Sequence, residues 1–140
     1  STYTLFLIIP RPPKCTLFPY TTLFRSEHYS AEELKGIIGL CDLFIGSRMH
    51  TTIASTSMLV PTIAIAYSHK THGIIGELLK QEKYVIDINN FNYDLIISKI
   101  NTLLKNKDEV IDTLRNEMNK VKEESLLSFK LTKSFYENTF

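Results

Sequence analysis

Apolar residues recur with two different periods along most of the chain, and the alternation of these periods predicts an α/β domain. Short apolar runs at Leu43–Ile45, Thr62–Tyr67 and Tyr84–Ile88 are typical of strands buried in a parallel sheet. Between and after them lie segments in which apolar residues repeat at helical spacing. The order of these segments predicts a Rossmann-like parallel sheet with flanking helices.

The predicted helices begin at recognisable positions. Ser30 followed by Glu33 is a capping-box pattern, so a helix is predicted to start there. Ser47 is predicted to cap a second helix over residues 48–58. After the second strand, the polar residues 68–73 are predicted to form a loop. The remaining helices are predicted at residues 74–80, at 93–104, and from Lys107 to about Phe129.

The first 29 residues differ from the rest of the chain. They hold four of the five prolines, and Thr16–Ser26 resembles the in-frame translation of a common short-read sequencing adapter. We therefore interpret residues 1–29 as an irregular, non-native leader, with a genuine leader strand as the alternative. The domain itself is predicted at residues 30–129, and residues 130–140 form a C-terminal tail. Because the chain begins with Ser1 and not Met, we expect a fragment.

Composition excludes several classes of function. The net charge of +1 gives no electrostatic reason to expect nucleic acid as a partner. Two cysteines provide neither a disulfide framework nor metal-ligand spacing, which favours a reducing cytosol. No apolar run approaches the roughly 18 residues of a membrane span, and Leu5–Ile9 is too short for a signal peptide. A cytoplasmic location is the expectation.

Unusual polar residues follow the first two predicted strands of the domain. The first set runs from Gly46 to His50, and the second runs from Tyr67 to Gly73. In open α/β sheets, ligands bind beyond the carboxyl ends of the strands. Because neighbouring parallel strands end at the same edge, we expect both sets to line one site.

The residue types at this edge suit a small anion that carries both phosphate and carboxylate. A helix that starts near Arg48 offers unpaired amides, and the planar guanidinium adds a fork of donors. Lys70 is a second cation, His50 can exchange a proton near neutral pH, and Gly46 allows close backbone approach. Each of these residues, taken singly, more often has a structural role.

A metal site is not predicted. His69 and His72 have the spacing of a metal-binding pair, but no carboxylate or other third ligand has matching spacing in the sequence. Asp42 is expected to cap or to form an ion pair near Arg48.

Several of these residues together resemble the signature of the polysaccharide pyruvyl transferase family. The resemblance covers roughly residues 30–129 and departs from the family at Leu59, where glycine is usual, and at Ser55, where a small apolar residue is common. The positions that carry it are Asp42, Ile45, Gly46, Arg48, His50, Ile53, Pro61, Tyr67, Lys70 and Gly73.

The resemblance implies a reaction and a site. Members of the family transfer an enolpyruvyl-derived group from phosphoenolpyruvate to sugar hydroxyls, which forms a cyclic pyruvate ketal. The implied fold is similar to the C-terminal half of a GT-B glycosyltransferase. Arg48, His50 and Lys70 would hold phosphoenolpyruvate, which is the donor substrate, and no cofactor is implied. His50 would be the catalytic acid or base. The substrate-binding set is completed by Gly46, Ser47 and Tyr67.

The resemblance also implies partners. The acceptor would be a sugar or a lipid-linked saccharide, which brings the enzyme near the inner face of the membrane as a peripheral protein. A further basic residue would come from an N-terminal domain that we expect to be missing here. Because catalysis in such folds takes place between two domains, the isolated chain is expected to be inactive.

Two other interpretations stay open. The chain could belong to a nucleotide-sugar-dependent GT-B glycosyltransferase or epimerase, although no acidic residue between Tyr67 and Gly73 is available to hold a ribose. It could also be a non-catalytic sugar-binding module. A comparison of phosphoenolpyruvate with uridine diphosphate sugars as ligands would separate the three.

Overall fold

A computed structural model describes residues 5–8 and 29–137. The strands are β1 (Leu5–Ile8), β2 (Leu43–Gly46), β3 (Thr62–Ala66) and β4 (Val85–Asp87). The helices are α1 (Ala31–Gly39), α2 (Met49–Ser57), α3 (His69–Thr71) with a π-helix that continues it (His72–Leu78), α4 (Tyr93–Lys105) and α5 (Lys107–Glu137). Two 3-10 turns, Glu82–Tyr84 and Ile88–Asn90, flank β4.

The strands form one parallel sheet in which their order follows the chain, β1-β2-β3-β4. Phe44 lies opposite Thr62, and Ala66 lies opposite Asp87. The predicted α/β class with a parallel sheet and flanking helices is therefore confirmed. β1 pairs along its whole length with β2, so one part of the leader that was predicted to be irregular is a strand. Residues 9–28 lie outside the described residues, and the non-native origin of the leader stays a prediction.

Both faces of the sheet are covered, which explains why β2 is apolar at successive positions. Leu43 and Ile45 belong to the main core cluster, which also contains Leu103 of α4 and Leu114 of α5. Phe44 points to the opposite face, where it packs in a second cluster with Ile38, Cys41 and Val60. Alternate side chains of a strand point to opposite faces, so a strand without polar positions needs cover on both.

The start of α1 has the geometry that its sequence predicts. The backbone N–H of Glu33 donates to the Ser30 hydroxyl at 3.2 Å, and the backbone N–H of Ser30 donates to the Glu33 carboxylate at 2.8 Å. The predicted capping box is confirmed.

The loop predicted at residues 68–73 is wrong, because this polar segment is already helical. His69–Thr71 forms a helical turn, and the π-helix follows without a break. Thr71 is 2% exposed and Ile75 is fully buried. A threonine therefore occupies the first core-facing position of this segment, and a pattern search for apolar residues does not detect it.

The last helix is longer than predicted, since α5 ends at Glu137 and not near Phe129. No glycine or proline interrupts residues 130–137, so nothing in the sequence stops the helix there. The expected tail is thus largely the last part of α5. Apolar side chains on this part are well exposed: Leu126, Leu127, Phe129, Leu131, Phe135 and Tyr136.

Two described residues other than glycine adopt left-handed backbone conformations. Leu59 has φ 60° and Lys80 has φ 55°, values that cost a side-chain-bearing residue free energy. The left-handed conformation at Leu59 would suit glycine, the residue that the resemblance leads us to expect there. Here the Leu59 side chain packs against the main core cluster, and this burial offsets part of the backbone cost.

The conformation of Lys80 predicts an unusual response to glycine. Both Lys80→Gly and Lys80→Ala remove the ion pair with Glu117, so the backbone alone distinguishes them. We expect Lys80→Gly to be the more stable variant by about 1 kcal/mol in urea unfolding, because alanine keeps the strain. The control pair is Lys122→Gly and Lys122→Ala on α5, where alanine should be better by about 1 kcal/mol. The same order of stability at both sites would contradict the assigned conformation.

Glu117 on α5 predicts a pH dependence of stability. Its carboxylate accepts from Lys120 at 2.8 Å and pairs with Lys80 at 3.3 Å. These contacts outweigh partial burial and lower the pKa of Glu117. A lowered folded-state pKa adds stability above the unfolded value of about 4.3, and this stability is lost as the pH falls through the folded value.

Replacing Glu117 should therefore matter only while its carboxylate is charged. Glu117→Gln should lower the melting temperature at pH 7, and the gap to wild type should narrow below about pH 4. Glu124→Gln on the exposed side of α5 is the matched control and should change little at either pH. A gap that is constant with pH would show that packing, and not charge, carries the effect.

Candidate functional site

Gly46 ends β2 at a point where no side chain fits. A Cβ atom there would lie 2.6 Å from Cε1 of Phe44 and 3.5 Å from the Thr51 hydroxyl. Phe44 is fully buried, so its ring has little room to move. The absence of a side chain at Gly46 therefore lets the chain turn from β2 into α2 directly over the Phe44 ring.

The start of α2 has no side-chain cap, and its N-cap is Arg48. The predicted capping by Ser47 is wrong: the Arg48 carbonyl accepts from the backbone N–H groups of Thr51 and Thr52, each at 3.1 Å, and from the Thr51 hydroxyl. The chain needs one more extended residue after Gly46 before it can turn. Because no side chain caps this end, amides of the first turn are available to an anion.

Arg48 and His50 both project at this helix start and are exposed, while Ser47 is half-buried. His50 is the second residue of α2, as predicted. Among the described residues, neither Arg48 nor His50 has a side-chain hydrogen bond or ion pair. Both side chains are therefore available to a ligand.

Buried hydroxyl groups hold α2 against the sheet. Ser55 and Thr62 are almost fully buried, and their hydroxyls lie 2.8 Å apart. The Ser55 hydroxyl also lies 2.9 Å from the carbonyl of Thr52, and the Thr62 hydroxyl lies 2.8 Å from the carbonyl of Val60. The two hydroxyl protons are shared among these three contacts. The departure from the family at Ser55 is therefore matched by a polar partner on β3, and it leaves the packing of α2 on the sheet intact.

The second predicted set lies at the adjacent strand end. Tyr67 follows β3 and is 64% exposed, and Lys70 lies in the helical turn α3, also exposed. Because Gly46 of β2 lies opposite Ala64 of β3, the two strands end side by side. The structure thus brings the chain around Arg48 and around Lys70 to one edge, although Lys70 belongs to a helix and not to a loop.

A third strand, β4, contributes a side chain to the same edge. The sequence analysis did not predict this contribution. Asp87 ends β4, opposite Ala66 at the end of β3, and its Oδ2 atom lies 3.8 Å from Nε2 of His72. Both side chains are a little under half exposed. The strand was predicted to run to Ile88, which placed Asp87 inside it. An acidic residue followed by Asn89 and Asn90 was the available signal for a strand end.

Asp42 has a structural role, as expected, but with a different partner. Its carboxylate accepts from the ammonium group of Lys107, at the start of α5, at 2.8 Å. The neighbouring thiol of Cys41 is buried, and burial together with the Asp42 carboxylate raises its pKa. The pair joins the segment before β2 to α5, away from the sequence that follows the strand.

The described part of the chain contains no group of three histidine, cysteine or acidic side chains placed to hold a metal ion. None of its helices is both long and apolar enough to cross a membrane.

Comparison with known proteins supports the resemblance to one family. The family model for polysaccharide pyruvyl transferase matches residues 15–69, which include β2, α2, β3 and both predicted sets of site residues up to His69. A stretch of 106 residues is 30% identical to the amylovoran biosynthesis protein AmsJ of Erwinia amylovora. The resemblance to the polysaccharide pyruvyl transferase family is confirmed.

The match covers most of this chain but only a small part of the relative. It covers 76% of this chain but 25% of the Erwinia protein, so the chain spans about a quarter of the curated relative's length. No solved structure matches the chain significantly. The relation to a GT-B half therefore stays a prediction. The family match begins at residue 15, within the predicted leader.

The contact at Gly46 predicts a local sensitivity to added volume. Gly46→Ala should destabilise the chain by about 1–3 kcal/mol in urea unfolding, because the new methyl group overlaps the buried Phe44 ring. Gly73→Ala is the matched control at the same edge, since a Cβ there meets nothing within 4 Å. Equal stability of the two variants would argue against the close approach.

Proposed function

We propose that this chain supplies the donor-binding part of a polysaccharide pyruvyl transferase and holds phosphoenolpyruvate at the carboxyl edge of its sheet. The family match and the similarity to an exopolysaccharide biosynthesis protein support a transferase acting in polysaccharide synthesis. The observation that carries the finer proposal is the pairing of β2 with β3, which puts the segments bearing Arg48 and Lys70 side by side.

The chemistry of phosphoenolpyruvate suits this edge. The ligand carries a phosphate and a carboxylate next to each other. Arg48 offers a planar fork for one anionic group, Lys70 offers a point charge for the other, and the uncapped start of α2 adds amide donors. Gly46 is itself buried and would contribute by setting where α2 begins, and Ser47 and Tyr67 would flank the two cations. His50 lies in the first turn of α2, where it would act as acid or base on the bound donor.

The rest of the proposed reaction involves groups outside this chain. The acceptor is a sugar or a lipid-linked saccharide, and the product is a pyruvate ketal. The domain would form half of a GT-B-like pair, with the other wall of the cleft supplied by an N-terminal domain. A lipid-linked acceptor would place the reaction at the cytoplasmic face of the membrane, with the enzyme bound peripherally.

Ligand binding to the 140-residue chain tests the donor site. In calorimetric titrations, phosphoenolpyruvate should bind, and Arg48→Ala and Lys70→Ala should each weaken binding about tenfold or more, because each removes a charge-assisted contact. Lys122→Ala, a charge change on the exposed face of α5, is the matched control and should bind like wild type.

The same titration separates the rival functions. A uridine diphosphate sugar should bind more weakly than phosphoenolpyruvate. Tighter binding of the nucleotide sugar would support a glycosyltransferase or epimerase. Binding of a free saccharide without phosphoenolpyruvate binding would support a sugar-binding module. Unchanged phosphoenolpyruvate affinity in Arg48→Ala would contradict the proposed site.

A further inference from the structure

The edge that carries the proposed donor site also carries a histidine that faces a carboxylate. Nε2 of His72 lies 3.8 Å from Oδ2 of Asp87. The other carboxylate oxygen of Asp87 is held in place, since it accepts from the backbone N–H of Asn89 at 3.2 Å and from the Asn89 side-chain amide at 3.3 Å. Asp87 is therefore oriented by its own turn, and its other oxygen lies 3.8 Å from the imidazole, beyond direct hydrogen-bond distance.

His50 and His72, two of the three described histidines at this edge, differ in their surroundings. His50 has no polar side-chain partner among the described residues, so nothing there fixes its ring. His72 has Asp87 on one ring nitrogen, while Nδ1 has no partner among the described residues. An imidazole held by a carboxylate on one side presents its other nitrogen as a proton acceptor. Such contacts are often long without substrate and tighten when it binds.

His72 lies at the same edge of the sheet as the proposed donor site. His72 lies two residues after Lys70, and Asp87 ends the strand beside β3. The end of β4 is two strand spacings, about 10 Å, from the end of β2, so the ends of β2, β3 and β4 form one continuous edge. His72 also begins the π-helix, a geometry that recurs at functional sites.

We propose, resting on the proposed function, that His72 is the catalytic residue that accepts the proton of the attacking sugar hydroxyl, with Asp87 as its positioning residue. His50 is then left with the opposite task of donating a proton to the donor. The reaction needs both an acid and a base, and among the described histidines of this edge His72 is the one that faces a carboxylate.

The assignment gives a balanced reaction. In the first step the hydroxyl oxygen forms a bond to C2 of phosphoenolpyruvate, and its proton passes to Nδ1 of His72. The π electrons between C2 and C3 take a proton from His50, and C3 becomes a methyl group. In the second step a neighbouring hydroxyl oxygen bonds to C2, and phosphate leaves with the electrons of its C2–O bond. The proton of that hydroxyl ends on phosphate, and solvent transfers the proton on His72 back to His50.

Alkylation of the 140-residue chain with bromoacetate tests which nitrogen is exposed. The reagent is a small anion that adds a carboxymethyl group to an unprotonated ring nitrogen. Trypsin cleaves after Lys70, so residues 71–80 form a peptide in which His72 is the only histidine. Acid hydrolysis of this peptide releases carboxymethylhistidine, and chromatography then separates the Nδ1 and Nε2 isomers. The preceding peptide, residues 49–70, contains His50 and His69, neither of which has an acidic partner among the described residues, and their pooled products provide an internal comparison.

The expected result is Nδ1 alkylation of His72. Asp87→Asn keeps an oxygen that can accept from Asn89 but removes the charge, so it should lower the ratio of Nδ1 to Nε2 product at His72 about tenfold. It should leave the pooled products of His50 and His69 unchanged. Phosphoenolpyruvate should protect His72 in wild type and fail to protect it in Arg48→Ala. Mainly Nε2 product in wild type would overturn the proposed orientation, and this result does not require any variant to fold.

The titration of phosphoenolpyruvate distinguishes the failure of this inference from the failure of the proposed function. If the ligand binds but does not protect His72, the donor site stands and the role of His72 is overturned. If the ligand does not bind at all, the proposed function fails, and the role of His72 in that reaction fails with it. The product ratio would still show whether Asp87 orients the ring.

Discussion

The close approach at Gly46 is the constraint on which the candidate site depends. A fully buried phenylalanine ring lies directly beneath the point where the strand ends, so the chain can cross it only without a side chain. The crossing sets where α2 begins, and thus where its free amides, Arg48 and His50 lie. Hydroxyl contacts between Ser55 and Thr62 then fix the far end of the helix to the neighbouring strand.

The parts of the fold that depend on repeated apolar contacts could be predicted from the sequence. The strands, the capping box at Ser30 and the helical faces of α4 and α5 all follow from periodicity and local hydrogen bonding. The helical turn at His69 could not be predicted, because its inward position is filled by a threonine. The end of α5 was placed too early because the apolar residues around and beyond Phe129 are exposed and do not continue the core-facing repeat. No glycine or proline stops the helix there, so it continues.

The site residues that come directly after a strand in the sequence could be predicted. Arg48 and Lys70 were found because each comes soon after an apolar run. Asp87 was missed because the strand boundary was placed one residue late, which put a carboxylate inside the sheet and not at its edge. Its contact with His72 joins residues from different turns of the fold, and pattern analysis of one sequence cannot pair them. The signal that did exist was the Asp-x-Asn turn after β4.

The order of the strands in the sheet has a consequence for how the domain forms. Each strand pairs with the one before it in the chain, and the pairings of β2 with β3 and of β3 with β4 enclose short, largely helical connections. Contacts that are close in sequence cost little chain entropy and favour rapid folding. β3 and β4 can therefore add to the sheet in turn, each pairing with an edge that already exists.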